Sequence, residues 1–107
     1  MRLRDLIVAA IGSVVAVSLA HAQQLSDRQK GRILARQVCA ECHAVGRQGR
    51  RSPNSEAPSF VAVASTPGMT EMALNVFFQT SHRAMPNLIL TSDQKREIIA
   101  YILSLRR

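Results

Sequence analysis

Large aromatic side chains are scarce in this 107-residue chain, which has no tryptophan, one tyrosine and three phenylalanines. The 85 residues that follow a predicted leader, residues 23–107, make a single small domain. A domain of this size buries little more than about 60% of the surface of its unfolded chain. Small domains with such limited cores are often stabilised by a metal, disulfides or a cofactor. The composition therefore favours one of these in this domain.

Strand-type alternation of apolar and polar residues is also missing, and the chain has no internal repeat and no low-complexity tract. Apolar residues instead recur at helical spacing in several segments. The sequence therefore predicts an all-α domain.

No apolar run reaches the roughly 20 residues that a membrane-spanning helix needs. The longest, residues 6–20, has 15 residues, follows a short segment with two arginines, and closes on the small-x-small pattern Ala-His-Ala. This is the pattern of a secretory signal peptide. We predict that residues 1–22 are removed after Ala22, which leaves residues 23–107 in the periplasm without a stable membrane anchor.

Cysteine occurs only in the pentapeptide Cys39-Ala40-Glu41-Cys42-His43. On a helical turn, residues i, i+3 and i+4 share one face, so both sulfurs and the imidazole are predicted to converge. A disulfide, a zinc site or a thiol redox pair would use the two sulfurs, but none requires a histidine directly behind them. Covalent haem attachment does require it. We predict one haem c, bound through Cys39 and Cys42, with His43 as an iron ligand.

Helix-capping signals place the first and last helices of the mature domain. Ser26 with Gln29 forms a capping box for a helix that leads to Cys39, and Thr91 with Gln94 forms another. The apolar stripe of the first helix is Gly31, Leu34, Ala35 and Val38, and that of the last is Ile98, Tyr101, Ile102 and Leu105.

The middle of the chain is predicted to hold one loop and two shorter helices. Residues 45–54 are rich in glycine, arginine and turn formers, which is typical of a surface loop. Residues 60–64 allow one or two helical turns. A helix capped by Thr70 covers residues 71–80, and its apolar residues surround most of its circumference, which predicts burial on more than one side. Met69 and Met72 are predicted core residues.

With these features the chain resembles the small class I c-type cytochromes over essentially the whole mature region. The resemblance is carried by the Cys-Ala-Glu-Cys-His motif, by Gly31 eight residues before it, by Pro58 after the loop, and by Met85-Pro86 before a final helix with Tyr101. It implies the class I cytochrome c fold, in which the N- and C-terminal helices cross at a glycine. Gly31 then permits the close approach, with Ile98 and Tyr101 packing over it.

The resemblance also implies the remaining site residues. Met85 takes the position of the sixth iron ligand, and Pro86 stiffens the backbone behind it. The carbonyl of Pro58 takes the position of the acceptor for the second nitrogen of His43, which fixes its tautomer. His82 is the rival for the sixth position, because imidazole also binds haem iron well.

Six-coordinate iron leaves no position for a substrate, so the predicted function is a monohaem one-electron carrier and not an enzyme. The haem subunit of a periplasmic dehydrogenase complex remains an alternative, and so does a peroxidase or gas-binding protein with Met85 detached.

The mature chain keeps 12 of the 14 basic and 6 of the 7 acidic residues, a balance of +6. Such a field favours redox partners with acidic docking surfaces, a membrane oxidase or a periplasmic dehydrogenase, approached by a monomer. Nucleic acid is excluded as a partner because the protein is predicted to be exported and has no basic face with interspersed aromatics.

Overall fold

The computed structural model describes residues 2–8 and 25–107, and the predicted cleavage site lies outside these ranges. The described residues contain five helices and no strand, which confirms the all-α prediction. The helices are α1 (residues 3–8), α2 (Asp27–Val38), α3 (Phe60–Ser65), α4 (Glu71–Gln79) and α5 (Ser92–Ser104). Within those two ranges, none is long and apolar enough to cross a membrane.

Side-chain caps begin the four helices of the second range, and three of these caps are predicted from the sequence. Both capping boxes are formed: Ser26 and Gln29 bond reciprocally at the start of α2, and Thr91 and Gln94 do so at the start of α5. Thr70 caps α4. Each cap satisfies amide groups that have no partner inside the helix, so the helix starts are fixed by local chemistry.

Helices α2 and α5 pack directly against each other at Gly31. A Cβ atom built on Gly31 would overlap the carbonyl oxygen of Glu97 and lie 2.9 Å from Cβ of Tyr101. Only glycine therefore allows this helix approach. The predicted crossing of α2 and α5 at Gly31 is present. The atoms of α5 nearest to Gly31 belong to Tyr101, as predicted, and to the backbone of Glu97.

We expect Gly31→Ala to lower the free energy of unfolding by about 2 kcal/mol, because overpacking against backbone outweighs the gain of about 1 kcal/mol in helix propensity. Thermal unfolding of the holoprotein should then shift downward by roughly 10 °C. Gly46→Ala is the matched control, since nothing lies within 4 Å of a Cβ there. A Gly31 variant as stable as the Gly46 variant would contradict the close crossing.

The buried face of α5 forms the centre of the core. Its four predicted stripe residues are all buried, and Ile99, which the stripe omits, is also only 2% exposed. Tyr101 donates a hydrogen bond from its hydroxyl to the carbonyl oxygen of Val45. The last helix is thereby tied to the loop that follows the cysteine motif.

Helix α4 differs from its prediction. Leu74 is its one buried residue, whereas Met72 is 76% exposed and Val76 is 55% exposed. The apolar circumference of the helix is therefore not buried all round, and the prediction of Met72 as a core residue was wrong. The physical reason is that α4 packs on α5 with one face and borders a cavity with another, which leaves Met72 and Val76 in solvent.

Two arginines after α5 bond to distant backbone. The guanidinium of Arg106 donates to the carbonyls of Ala64, at 3.2 Å, and of Met69. That of Arg107 donates to the carbonyl of Arg47. These contacts fix the end of α3 and the loop after the cysteine motif against the end of α5.

Candidate cofactor site

The cysteine motif continues the turn of α2 beyond its last residue. Cys39 caps the helix, and its carbonyl accepts hydrogen bonds from the amides of Cys42 at 3.2 Å and His43 at 2.9 Å. All three side chains line one cavity of about 540 Å³. The predicted common face is therefore present.

The three side chains face this cavity without meeting at a point. In the described ranges, no three His, Cys, Asp or Glu side chains lie close enough together to hold one metal ion. The three side chains therefore converge on a shared cavity, as the prediction of covalent haem attachment requires.

The rest of the cavity is built mainly from apolar side chains of α3, α4, α5 and the 82–88 loop. A mostly apolar cavity of this size with a few polar groups is typical of a cofactor site. Its apolar lining includes Val38, Phe60, Val63, Met69, Leu74, Phe77, Phe78, Met85, Leu88 and Ile102. Val38 belongs to the predicted inner face of α2 but is 40% exposed, because it borders this space.

His43 is oriented by the backbone of the following loop. Its Nδ1 lies 2.6 Å from the carbonyl oxygen of Pro58, and its ring is tilted against that of Phe60 with centroids 5.5 Å apart. A carbonyl can only accept, so Nδ1 carries the proton and Nε2 keeps a free lone pair. The free nitrogen of a neutral histidine held in this way is a ligand for a metal.

The loop before Pro58 is tied to the motif, a feature that the sequence analysis missed. The amide of Asn54 donates to the carbonyl of Cys42, and the amide of Ala44 donates to the Ser52 hydroxyl. Ser52 and Asn54 are residue types that form turns and bond to nearby backbone groups. Their identity therefore indicates backbone hydrogen bonds here, but it does not indicate that Cys42 and Ala44 are the partners.

The two cysteines are free thiols in the structure. Burial raises the pKa of the Cys39 thiol from 9.0 to about 11. Redox-active Cys-x-x-Cys pairs have the opposite property, a lowered pKa that supplies the thiolate nucleophile. The electrostatics of Cys39 therefore disfavour the thiol redox alternative.

Met85 lines the same cavity as the motif, from the loop after α4. Its amide donates to the carbonyl of His82 at 3.4 Å, and Pro86 follows it. Met69 borders the cavity as well, whereas the exposed Met72 does not. The structure thus brings two thioethers to the cavity, of which only Met85 is held in a turn before a proline.

His82 also borders the cavity, but its ring is engaged elsewhere. Its Nε2 lies 3.1 Å from the carbonyl oxygen of Phe77 and 3.0 Å from the hydroxyl of Thr80. Bonding to the carbonyl requires Nε2 to carry the proton, so this nitrogen has no free lone pair. The ring is stacked on that of Phe77, with centroids 3.6 Å apart. These contacts favour Met85 over His82 as a ligand.

The chain is 35% identical over 94 residues to cytochrome c-552 of Bradyrhizobium diazoefficiens, an alignment that spans 87% of this chain and 89% of that protein. It belongs to the small c-type cytochromes. Its all-α architecture is the class I cytochrome c fold. No family profile and no solved structure matches the chain.

Membership of the c-type cytochromes can be tested against the residues of the cavity. Two free thiols, a histidine whose Nδ1 is the hydrogen-bonded nitrogen, and the thioether of Met85 all belong to residues that border it. These are the attachment and axial groups that a covalently bound haem uses. The residues present therefore fit this cofactor.

Proposed function

We propose that this c-type cytochrome is a periplasmic monohaem one-electron carrier. In this proposal residues 1–22 are removed on export, and residues 23–107 would hold haem c through Cys39 and Cys42, with His43 and Met85 as the iron ligands. The supporting observation is that one cavity contains both thiols, a histidine of defined tautomer and a thioether. The bound haem supplies the one-electron couple.

The side chains of the chain itself set the conditions for this couple. The carbonyl of Pro58 accepts the Nδ1 proton of His43, which orients the ring and raises the basicity of Nε2. The apolar lining excludes water and lowers the local dielectric. A thioether favours the ferrous state, so the Met85 sulfur raises the potential. With His43 and Met85 both bound to the iron, such a haem would have no open position for a substrate, and the protein would serve electron transfer.

The cofactor is tested by a pyridine spectrum and a reduced-minus-oxidised spectrum of protein purified from a host competent in cytochrome maturation. We expect a haem c spectrum and reversible one-electron reduction, with haem that remains on the polypeptide after acid-acetone extraction. Haem that is extracted from the wild-type protein would rule out the covalent attachment.

The arrangement of charge supports partners with acidic docking surfaces. At the start of α5, Arg96 pairs with Asp27 at 3.1 Å and with Asp93 at 2.8 Å, so the charge of Arg96 is offset locally. At the other end, the bond from Arg107 to the carbonyl of Arg47 joins the C-terminal residues to a basic loop. We call this exposed region the arginine pole, and it consists of Arg47, Arg50, Arg51, Arg106 and Arg107.

If the arginine pole steers the partner, the on-rate of electron transfer to the native acceptor should fall as salt rises. The Debye length shrinks from about 10 Å at 0.1 M to about 3 Å at 1 M, which screens the attraction. Arg50→Gln with Arg51→Gln should reduce both the low-salt rate and its salt dependence. These two side chains make no hydrogen bond or ion pair within the described ranges, so stability should be unaffected.

Arg28→Gln with Arg32→Gln is the matched control, because it removes the same charge from the exposed face of α2. If both pairs of substitutions reduce the on-rate equally, the net charge of the protein controls the rate and the arginine pole has no special role. A rate independent of salt, together with stable copurification with a dehydrogenase, would instead indicate a permanent haem subunit.

A further inference from the structure

One side chain fastens the turn that contains Met85 to the end of α4. His82 donates from Nε2 to the carbonyl of Phe77 at 3.1 Å, lies 3.0 Å from the Thr80 hydroxyl, and stacks on the Phe77 ring. Its own carbonyl accepts the amide hydrogen of Met85. A continuous path of contacts therefore runs from α4 through His82 to the backbone of Met85.

Little else holds this turn. Arg83, Ala84 and Pro86 are exposed, and the bond between Met85 and His82 is the one backbone hydrogen bond within residues 81–90, all of which the structure describes. A second cavity of about 250 Å³ lies against the turn and is bordered by Phe78, His82 and Met85. The contacts of His82 are therefore the ones that join this turn to the end of α4.

We propose that His82 is a positioning residue that keeps the Met85 thioether directed into the main cavity. The proposal rests on Met85 as the sixth ligand, described under the proposed function. His82 acts through its N–H donor and its stacked ring, not as a ligand, and its carbonyl holds the amide of Met85. Loosening these contacts raises the fraction of time that the sulfur is away from the iron position.

Cyanide binding to the ferric holoprotein measures that fraction, since an added ligand enters only when the thioether has left. His82→Phe keeps an aromatic ring but removes the donor, and we expect cyanide to bind about fivefold faster. His82→Ala removes the donor and the ring, for which we expect about 30-fold. His82→Gln places an amide donor near the position of Nε2. Its rate of cyanide binding should lie between those of the wild type and of His82→Phe.

Two controls separate positioning from general disturbance. Ser81→Ala changes an exposed neighbour with no side-chain hydrogen bond in the described residues, and it should bind cyanide at the wild-type rate. Hydrogen exchange of the Met85 amide gives a readout that needs no added ligand, and it should accelerate in the order Gln, Phe, Ala. The proposal is supported if exchange accelerates at the Met85 amide and not at the amides of α2 and α5, because a general loss of stability would accelerate both.

Two negative results have different meanings. If Met85→Ala abolishes the sulfur-iron absorption band while all three His82 variants bind cyanide at the wild-type rate, the positioning role is overturned and the ligand assignment stands. If the band survives in Met85→Ala, the ligand assignment fails, and the role of His82 fails with it.

Discussion

Replacing Met85 with histidine is expected to lower the reduction potential by on the order of 100 mV, a part of the roughly 0.8 V that axial ligands span. A thioether is a weaker donor to ferric iron than imidazole, so exchange of sulfur for nitrogen favours the oxidised state. Potentiometric titration of the purified holoprotein measures the change. Met85→His should also lose the weak red-region band of a sulfur-iron bond.

Met85→Ala leaves the position without a protein ligand and is expected to admit carbon monoxide and cyanide readily, with some peroxidase activity. Met72→Ala is the control, because Met72 is exposed and does not border the cavity. Met69→Ala tests the second thioether at the cavity. A band that survives in Met85→Ala and disappears in Met69→Ala would assign the ligand to Met69. Rapid carbon monoxide binding by the wild type would favour the gas-binding or peroxidase alternative.

Replacing Cys39 and Cys42 together with alanine is expected to reduce the yield of folded holoprotein on the order of tenfold or more. Without thioether bonds the haem is bound noncovalently and can dissociate. A small domain that relies on its cofactor for stability is destabilised when the haem leaves. Haem content per polypeptide after gel filtration measures the loss. Any haem that remains should be removed completely by acid-acetone.

Each single variant keeps one cysteine and should retain some covalent haem, which provides an internal comparison. A disulfide between Cys39 and Cys42 in mature wild-type protein would contradict attachment and favour a thiol redox role. The raised pKa of the buried Cys39 thiol makes that outcome the less expected one.

The helix starts could be predicted from sequence because their causes are local. Ser26 and Gln29, like Thr91 and Gln94, lie three residues apart and satisfy the first amides of their own helix. The cavity could not be predicted in the same way. An apolar residue that borders an internal cavity and one that is buried in a core have the same sequence signature, so the sequence places Val38 on a buried face although it borders the cavity.

Contacts between residues far apart in the sequence could not be predicted from local sequence patterns. Arg106 and Arg107 suit the end of a helix through their charge, but their bonds to carbonyls 37, 42 and 60 residues away depend on the completed fold. Likewise, the sequence shows that His82 could bind a metal, whereas only the structure shows that its Nε2 donates to Phe77. The residue type determines which interactions a side chain can make, and the neighbouring groups in the fold determine which of these it does make.

The bonds from Tyr101 to Val45 and from Arg107 to Arg47 join residues 56 and 60 positions apart. A chain that grows from its N-terminus therefore presents residues 39–43 long before the loop behind them can be fastened. Cys39, which is buried once the chain has folded, is accessible during that interval. Chemical modification of the motif and closure of the cavity are thus separable in time, with the first able to precede the second.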